Sequence, residues 1–138
     1  MVKRVKLKGK VVSGAREASF FTQLDWVQTQ CLDKLGFRPY PGTFNLRVDT
    51  DDRLSAKKLR GIRGMRLVPD DPEFCAATVI PARLGAIKGA VVVPSEEVNI
   101  HGEEIIEILA PVNLRKALGV QDGDKVALEI DVDCLNKT

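Results

Sequence analysis

From residue 73 to residue 132 the sequence falls into short apolar runs with turn residues between them: "EFCAATVIPARL" (73–84), "IKGAVVVPS" (87–95), "EIIEILAP" (104–111) and "QDGDKVALEIDV" (121–132). Runs of this length, rich in Val and Ile and punctuated by Gly, Pro, Asn and Asp, read as strands. Two more precede them. Over residues 2–15, Val5, Leu7 and Val11 alternate against lysines up to Ser13-Gly14, and "YPGTFNLRVD" (40–49) sets Phe44, Leu46 and Val48 on one face. The second apolar run, 87–95, is apolar on both faces and is expected to be covered on both sides. About six strands with few helices suggest a small barrel or sandwich, not a βαβ layer.

One stretch changes period. In "ASFFTQLDWVQTQCLDKLGF" (18–37), Phe20, Phe21, Leu24, Val27, Cys31, Leu32 and Leu35 recur at three and four, the spacing of an amphipathic helix. Ser19 is the expected N-cap and Gly36 the stop. "NLRKALGV" (113–120) reads as a short helix closed by Gly119. Residues 50–73 are polar and carry no legible period.

Aromatic residues make up only 5% of the chain, so the core must rest on Val, Ile and Leu. With 138 residues the chain is the size of one domain, and it buries roughly two-thirds of its unfolded surface without needing disulfides or structural metal. Three dispersed cysteines and one histidine (His101) exclude a disulfide framework and the usual zinc spacings. Cys31 and Cys75 sit among apolar residues and read as buried thiols. With 21 basic and 19 acidic residues, the net charge of +2 is no footprint for sequence-independent nucleic-acid binding. The basic stretch 53–66 reads as a solvated face. Neither a signal peptide nor an apolar run of about 20 residues is visible. A cytoplasmic protein without membrane or nucleic-acid partners is expected.

No P-loop and no G-x-G-x-x-G motif is present. Three weaker segments remain. "GKVVSG" (9–14) offers glycines and backbone amides at a strand end, either an anion cradle or an ordinary bulge and turn. "APVNLR" (110–115) starts a helix directly after a strand with Arg115 in its first turn, either an anion site or an Asn113 cap with Arg115 in solvent. "PGTFNL" (41–46) puts Thr43 and Asn45 side by side on the face opposite Phe44, either a wet strand face or a pair of neutral oxygen ligands. Amides, a cation and neutral oxygens are the parts a Mg²⁺-nucleotide needs, since the phosphates already neutralise the ion.

At these residues the sequence resembles the archaeal CTP-dependent riboflavin kinases. The likeness runs in order through "GKVVSGAREASFF", "LGFRPYPGTFNLRVD", "VIPARL", "GAVVVP" and "EIIEILAPVNLRKALGVQDGDKV". It implies a mainly β protein, a small six-stranded closed barrel of the cradle-loop, Greek-key-like kind with one or two short helices. It also implies CTP as donor, riboflavin as acceptor, CDP and FMN as products, and Mg²⁺ as cofactor. Carried over by motif, Lys10, Val11, Val12, Ser13, Gly14 and Ala15 hold the nucleotide together with Val112, Asn113, Leu114 and Arg115. Thr43 and Asn45 ligate Mg²⁺, and Glu107 contacts the flavin. The family pattern has a threonine soon after the V-V-V-P strand. Here "SEEVNIHGE" (95–103) lacks one, and Asn99 is the residue left for that flavin contact. A single domain over 1–138, without the N-terminal helix-turn-helix of some members, and a monomer are expected. Two other readings stay open: a swapped-hairpin DNA-binding transcription factor, which shares the "NLRKALGVQDGDKVALEID" ending, and a flavin-binding barrel without catalysis.

Overall fold

The computed structural model describes residues 4–13, 22–52, 64–69, 77–94 and 105–131. Among them seven strands and two helices follow in the order β1 (Arg4–Val12), α1 (Asp25–Leu35), β2 (Phe44–Val48), β3 (Met65–Leu67), β4 (Ala77–Leu84), β5 (Ile87–Pro94), β6 (Ile105–Leu109), α2 (Leu114–Leu118) and β7 (Lys125–Asp131). All pairings are antiparallel, in the order β3-β4-β5-β6-β2-β1-β7. β7 then returns to β4 through Ala82↔Ile130 and Arg83↔Glu129. The hydrogen bonding thus follows a ring of six strands, and the protein is mainly β and barrel-like, as the run of short strands implied.

The expected six strands become seven because β3 hangs on β4 outside the ring. Three residues give too few alternations to show a period, so the polar stretch 50–73 hid it. On one edge β4 pairs with β3 at Ala77–Leu67 to Val79–Met65, and with β7 only from Ala82 onward. Pro81 falls in the gap between them, where a missing ladder donor is tolerated.

Alternation along the strands makes two cores. Inside the ring lie Leu7, Leu46, Ile80, Ile108, Leu128 and Ile130, all essentially without solvent contact. Each such side chain contributes roughly 1.5–3 kcal/mol by leaving water. Val79, Ala90, Val92 and Leu109 point outward instead and are covered by Val27, Cys31 and Leu35 of α1. β5 is therefore buried on both faces, as its unbroken apolar run suggested.

Gly36 ends α1 at φ 84, its N–H donating to the carbonyls of Cys31 and Leu32. The residue at the N-cap is Leu24, which makes no side-chain cap. Ser19, Phe20 and Phe21 lie outside the described residues. Leu32 departs from the expected apolar stripe, 43% exposed, because the helix needs only the Val27–Cys31–Leu35 edge to cover β4 to β6. The polar side of α1 serves the sheet too. Gln30 accepts from the Val68 N–H (2.7 Å) and donates to the Val68 carbonyl (2.6 Å), while Lys34 Nζ donates to the Arg66 carbonyl. One helix thus satisfies backbone groups along β3, the terminal strand of the sheet.

Burial pushes the Cys31 thiol up to about 11, against a smaller opposite pull from Lys34. The folded state then holds a proton that the unfolded chain releases near the ordinary thiol value of about 8.5. Stability at this group is full below that value and declines as pH rises towards 11. We expect Cys31 to resist alkylation at pH 8 in the native protein and to react once urea unfolds it, read by mass spectrometry. Rapid native labelling of Cys31 would contradict its burial. Cys75, Cys134 and His101 lie outside the described residues.

Candidate functional site

Strand register assembles the site. Val12, Asn45, Glu107 and Val92 form one row across β1, β2, β6 and β5. The row beside it, Val11, Leu46 and Ile106, points into the barrel. Asn45 and Glu107 are therefore directly opposite neighbours on the outer face, within side-chain reach. Thr43, two residues from Asn45, shares that side: its hydroxyl donates to Asn45 Oδ1 at 3.0 Å, and Asn45 Nδ2 lies 3.4 Å from the Thr43 carbonyl.

Of the two readings of this strand, the wet face does not hold at Asn45. Asn45 is only 3% exposed. Both ends of its amide find partners in Thr43, which is what allows a polar side chain to be buried. Arg47, two residues on, remains exposed.

The two oxygens fit a small hard cation. Mg²⁺ takes oxygen ligands at about 2.0–2.1 Å in an octahedron, so two adjacent ligands stand about 3 Å apart. Thr43 Oγ1 and Asn45 Oδ1 already have that separation. Among the described residues no cluster of three or more His, Cys, Asp or Glu side chains could hold a metal. An ion at this pair would be neutralised chiefly by another anion, such as a phosphate chain.

A cleft of about 170 Å³ opens beside Thr43 and is not lined by Asn45; Tyr40, Gly42 and Thr43 form one wall and Val112, Asn113 and Arg115 the other. Its first wall is held by α1. Gln28 Nε2 donates to the carbonyls of Thr22 (2.6 Å) and Pro39 (2.9 Å), and the Gly42 N–H donates to the Thr22 hydroxyl (2.7 Å). Gly42 adopts φ 95, which favours glycine there. The Tyr40 N–H donates to the Ala110 carbonyl at 2.7 Å and ties the two walls together.

The second wall is α2. Asn113 Oδ1 accepts from the Lys116 N–H at 3.2 Å, and Gly119 closes the helix at φ 67. Asn113 thus caps α2, the plainer of its two sequence readings. Arg115 is not simply in solvent: it pairs with Asp122, and its Nη2 reaches the Val12 carbonyl at 3.3 Å. The Ser13 hydroxyl donates to the other Asp122 oxygen at 2.8 Å. Those two hydrogen bonds, Arg115 first, hold the Asp122 carboxyl below its ordinary value.

The structure therefore brings Val12 and Ser13 at the end of β1 against Arg115 of α2. Lys10 is exposed, and register sets it opposite Arg47 on one side and Lys125 on the other. Of the three cations in that row, Lys125 is already paired with Asp49 at 3.2 Å. Gly14, Ala15 and Asn99, and residues 53–63 of the basic stretch, lie outside the described residues. Gly9 has a structural task instead: a Cβ there would stand 2.7 Å from the Arg47 carbonyl oxygen, so the glycine serves close strand packing. The sequence reading missed Thr22, Gln28 and Asp122. Only the turn signal around Gly123 hinted at the last.

The family model CTP-dep_RFKase, described as a domain of unknown function (DUF120), matches residues 11–130. The riboflavin kinase of Archaeoglobus fulgidus is 36% identical over 129 residues, covering 91% of this chain and 54% of that protein. The riboflavin kinase of Pyrobaculum islandicum is 37% identical, covering 91% and 60% respectively, and that of Ignicoccus hospitalis 37%, covering 90% and 70%. The chain spans little more than half the length of the first two. The matched span takes in the end of β1, the Thr43/Asn45 pair, Glu107 and the α2 wall, and on it the chain belongs to the CTP-dependent riboflavin kinase family.

Proposed function

We propose that this chain transfers the γ-phosphoryl group of CTP to the 5′-hydroxyl of riboflavin, giving CDP and FMN, with Mg²⁺ as the working ion. The observation that carries the reading is the Thr43–Asn45 oxygen pair, 3.0 Å apart, of which Thr43 lines a cleft that Val112–Arg115 also line. Family membership supports the reaction, and the family's name supports the donor.

The chain's own groups divide the work by position. Residues Lys10–Ala15 and Val112–Arg115 bind the nucleotide, with Arg115 and the exposed Lys10 meeting phosphate charge. Thr43 and Asn45 would hold the ion, which when bound offsets charge on the phosphates and aligns them. Glu107, across one strand gap from Asn45, contacts the flavin and so sets the acceptor hydroxyl near the terminal phosphorus. A bond forms from that hydroxyl oxygen to the γ-phosphorus as the bond to the β,γ-bridging oxygen breaks; CDP leaves and the hydroxyl proton is released to water. Such transfer depends mainly on positioning and charge stabilisation, so no strong base is required. On this reading the protein acts in the cytoplasm as a monomer, without nucleic acid. Among the described residues no helix is long and apolar enough to cross a membrane.

The test is FMN formation from riboflavin with CTP, ATP, GTP or UTP, each with and without Mg²⁺. We expect FMN with CTP and Mg²⁺, and little with ATP. Equal turnover with ATP would remove the donor assignment. No FMN with any triphosphate would remove the kinase.

A further inference from the structure

We propose that Asp122 is a positioning residue of the nucleotide site, aligning Arg115 for phosphate and tying it to the end of β1 through Ser13; the inference rests on the nucleotide reading above. Asp122 stands on a turn that is bonded both to itself and to the end of β1. The Gln121 N–H donates to Asp124 Oδ2 (2.9 Å) and the Asp124 N–H to the Gln121 carbonyl (3.0 Å). The Val11 N–H donates to the Asp124 carbonyl, and the Gly123 N–H to the Val11 carbonyl, each at 2.9 Å. Gly123, at φ 92, permits the bend. The carboxylate is thereby fixed relative to Ser13.

Its two oxygens take different partners: Oδ2 the Ser13 hydroxyl, Oδ1 the Arg115 guanidinium. Arg115 makes both of its described bonds, to Asp122 and to the Val12 carbonyl, through Nη2. The guanidinium is held by one corner, its remaining N–H groups are left for a ligand, and Arg115 lines the cleft. A planar fork anchored in this way loses less freedom when it meets phosphate.

A purely stabilising role fits poorly. The pair is exposed, 38% for the Arg115 side chain and 57% for Asp122, and ion pairs of that kind add little to folding. On charge alone a carboxylate beside a phosphate site is unfavourable. Its benefit is therefore geometric, and a neutral side chain with the same oxygen should supply it.

The experiment compares Asp122→Ala and Asp122→Asn with wild type for CTP affinity by calorimetry, KM for CTP, KM for riboflavin, kcat and Tm. We expect Asp122→Ala to raise Kd and KM for CTP about tenfold, the loss of roughly one charged hydrogen bond. The riboflavin KM, kcat and Tm should stay near wild type. Asp122→Asn should recover wild-type CTP affinity or better. Wild-type CTP affinity in Asp122→Ala overturns the inference, as does tighter CTP binding in that variant, which would make Asp122 a competitor. A parallel loss in Tm and in both KM values also overturns it, assigning Asp122 to the fold. If wild type binds CTP, each of these results bears on Asp122 alone; if it binds no triphosphate, the nucleotide reading fails and takes the inference with it.

Discussion

Asn45→Ala lowers the rate of FMN formation by a factor of about 100 or more, the scale seen when a group stabilising transition-state charge is lost. The substitution removes one of two oxygens 3.0 Å apart and leaves Phe44 and Leu46 packed in the barrel. Because Asn45 is buried, the fold also loses something: about 1 kcal/mol for the Thr43 hydrogen bond, more than an open strand face would cost. Asn45→Asp keeps an oxygen donor but sets a second carboxylate opposite Glu107. It should retain partial activity with a shifted Mg²⁺ optimum. Initial rates against Mg²⁺ concentration, with thermal melts alongside, separate the two effects. If Asn45→Ala melts near wild type and keeps wild-type rates at every Mg²⁺ level, the Thr43/Asn45 pair holds no ion.

A large effect on stability is expected at Gly89. A Cβ there would lie 2.7 Å from the Leu109 carbonyl oxygen and 3.4 Å from Ile108 Cγ2. The first of these is backbone, so it cannot rotate away, and β5 must move off β6. Overpacking of this kind costs about 1–3 kcal/mol. For a chain of this size that lowers Tm by roughly 3–10 °C. Gly85→Ala is the control. Its φ of 62 brings strain, but nothing lies within 4 Å of the added methyl. Urea and thermal melts of both variants should rank Gly89→Ala well below Gly85→Ala. The reverse order would mean that β5 and β6 separate easily.

What the sequence made readable was local. The alternation of Phe44, Leu46 and Val48, the helical recurrence of Val27, Cys31 and Leu35 and the stop at Gly36 all depend on neighbours within a few positions. So does the Thr43–Asn45 pair, whose members are two residues apart. What stayed hidden depends on register and on distant contacts. Asn45 is buried where β2 lies between β1 and β6, and no alternation within β2 announces that. Ser13 and Asp122 are 109 positions apart, and Gln28 reaches Pro39 across a helix end. A lone Gln or Asp in a polar stretch looks the same whether it meets water or a carbonyl. β3 was lost for another reason: three residues, Met65–Leu67, give too few alternations to mark a strand.

Helix α1 has two duties one turn or less apart. Gln28 secures the 39–42 segment beside the cleft, and Gln30 bonds to Val68 at the end of β3. Peeling α1 from the sheet would undo both together. A terminal strand stripped in that way is a template for another chain. Whatever ligand stiffens the 39–42 segment therefore raises, by linkage, the free energy needed to uncover that template. Occupancy of the cleft and resistance to self-association become two readings of one equilibrium, the docking of a single helix.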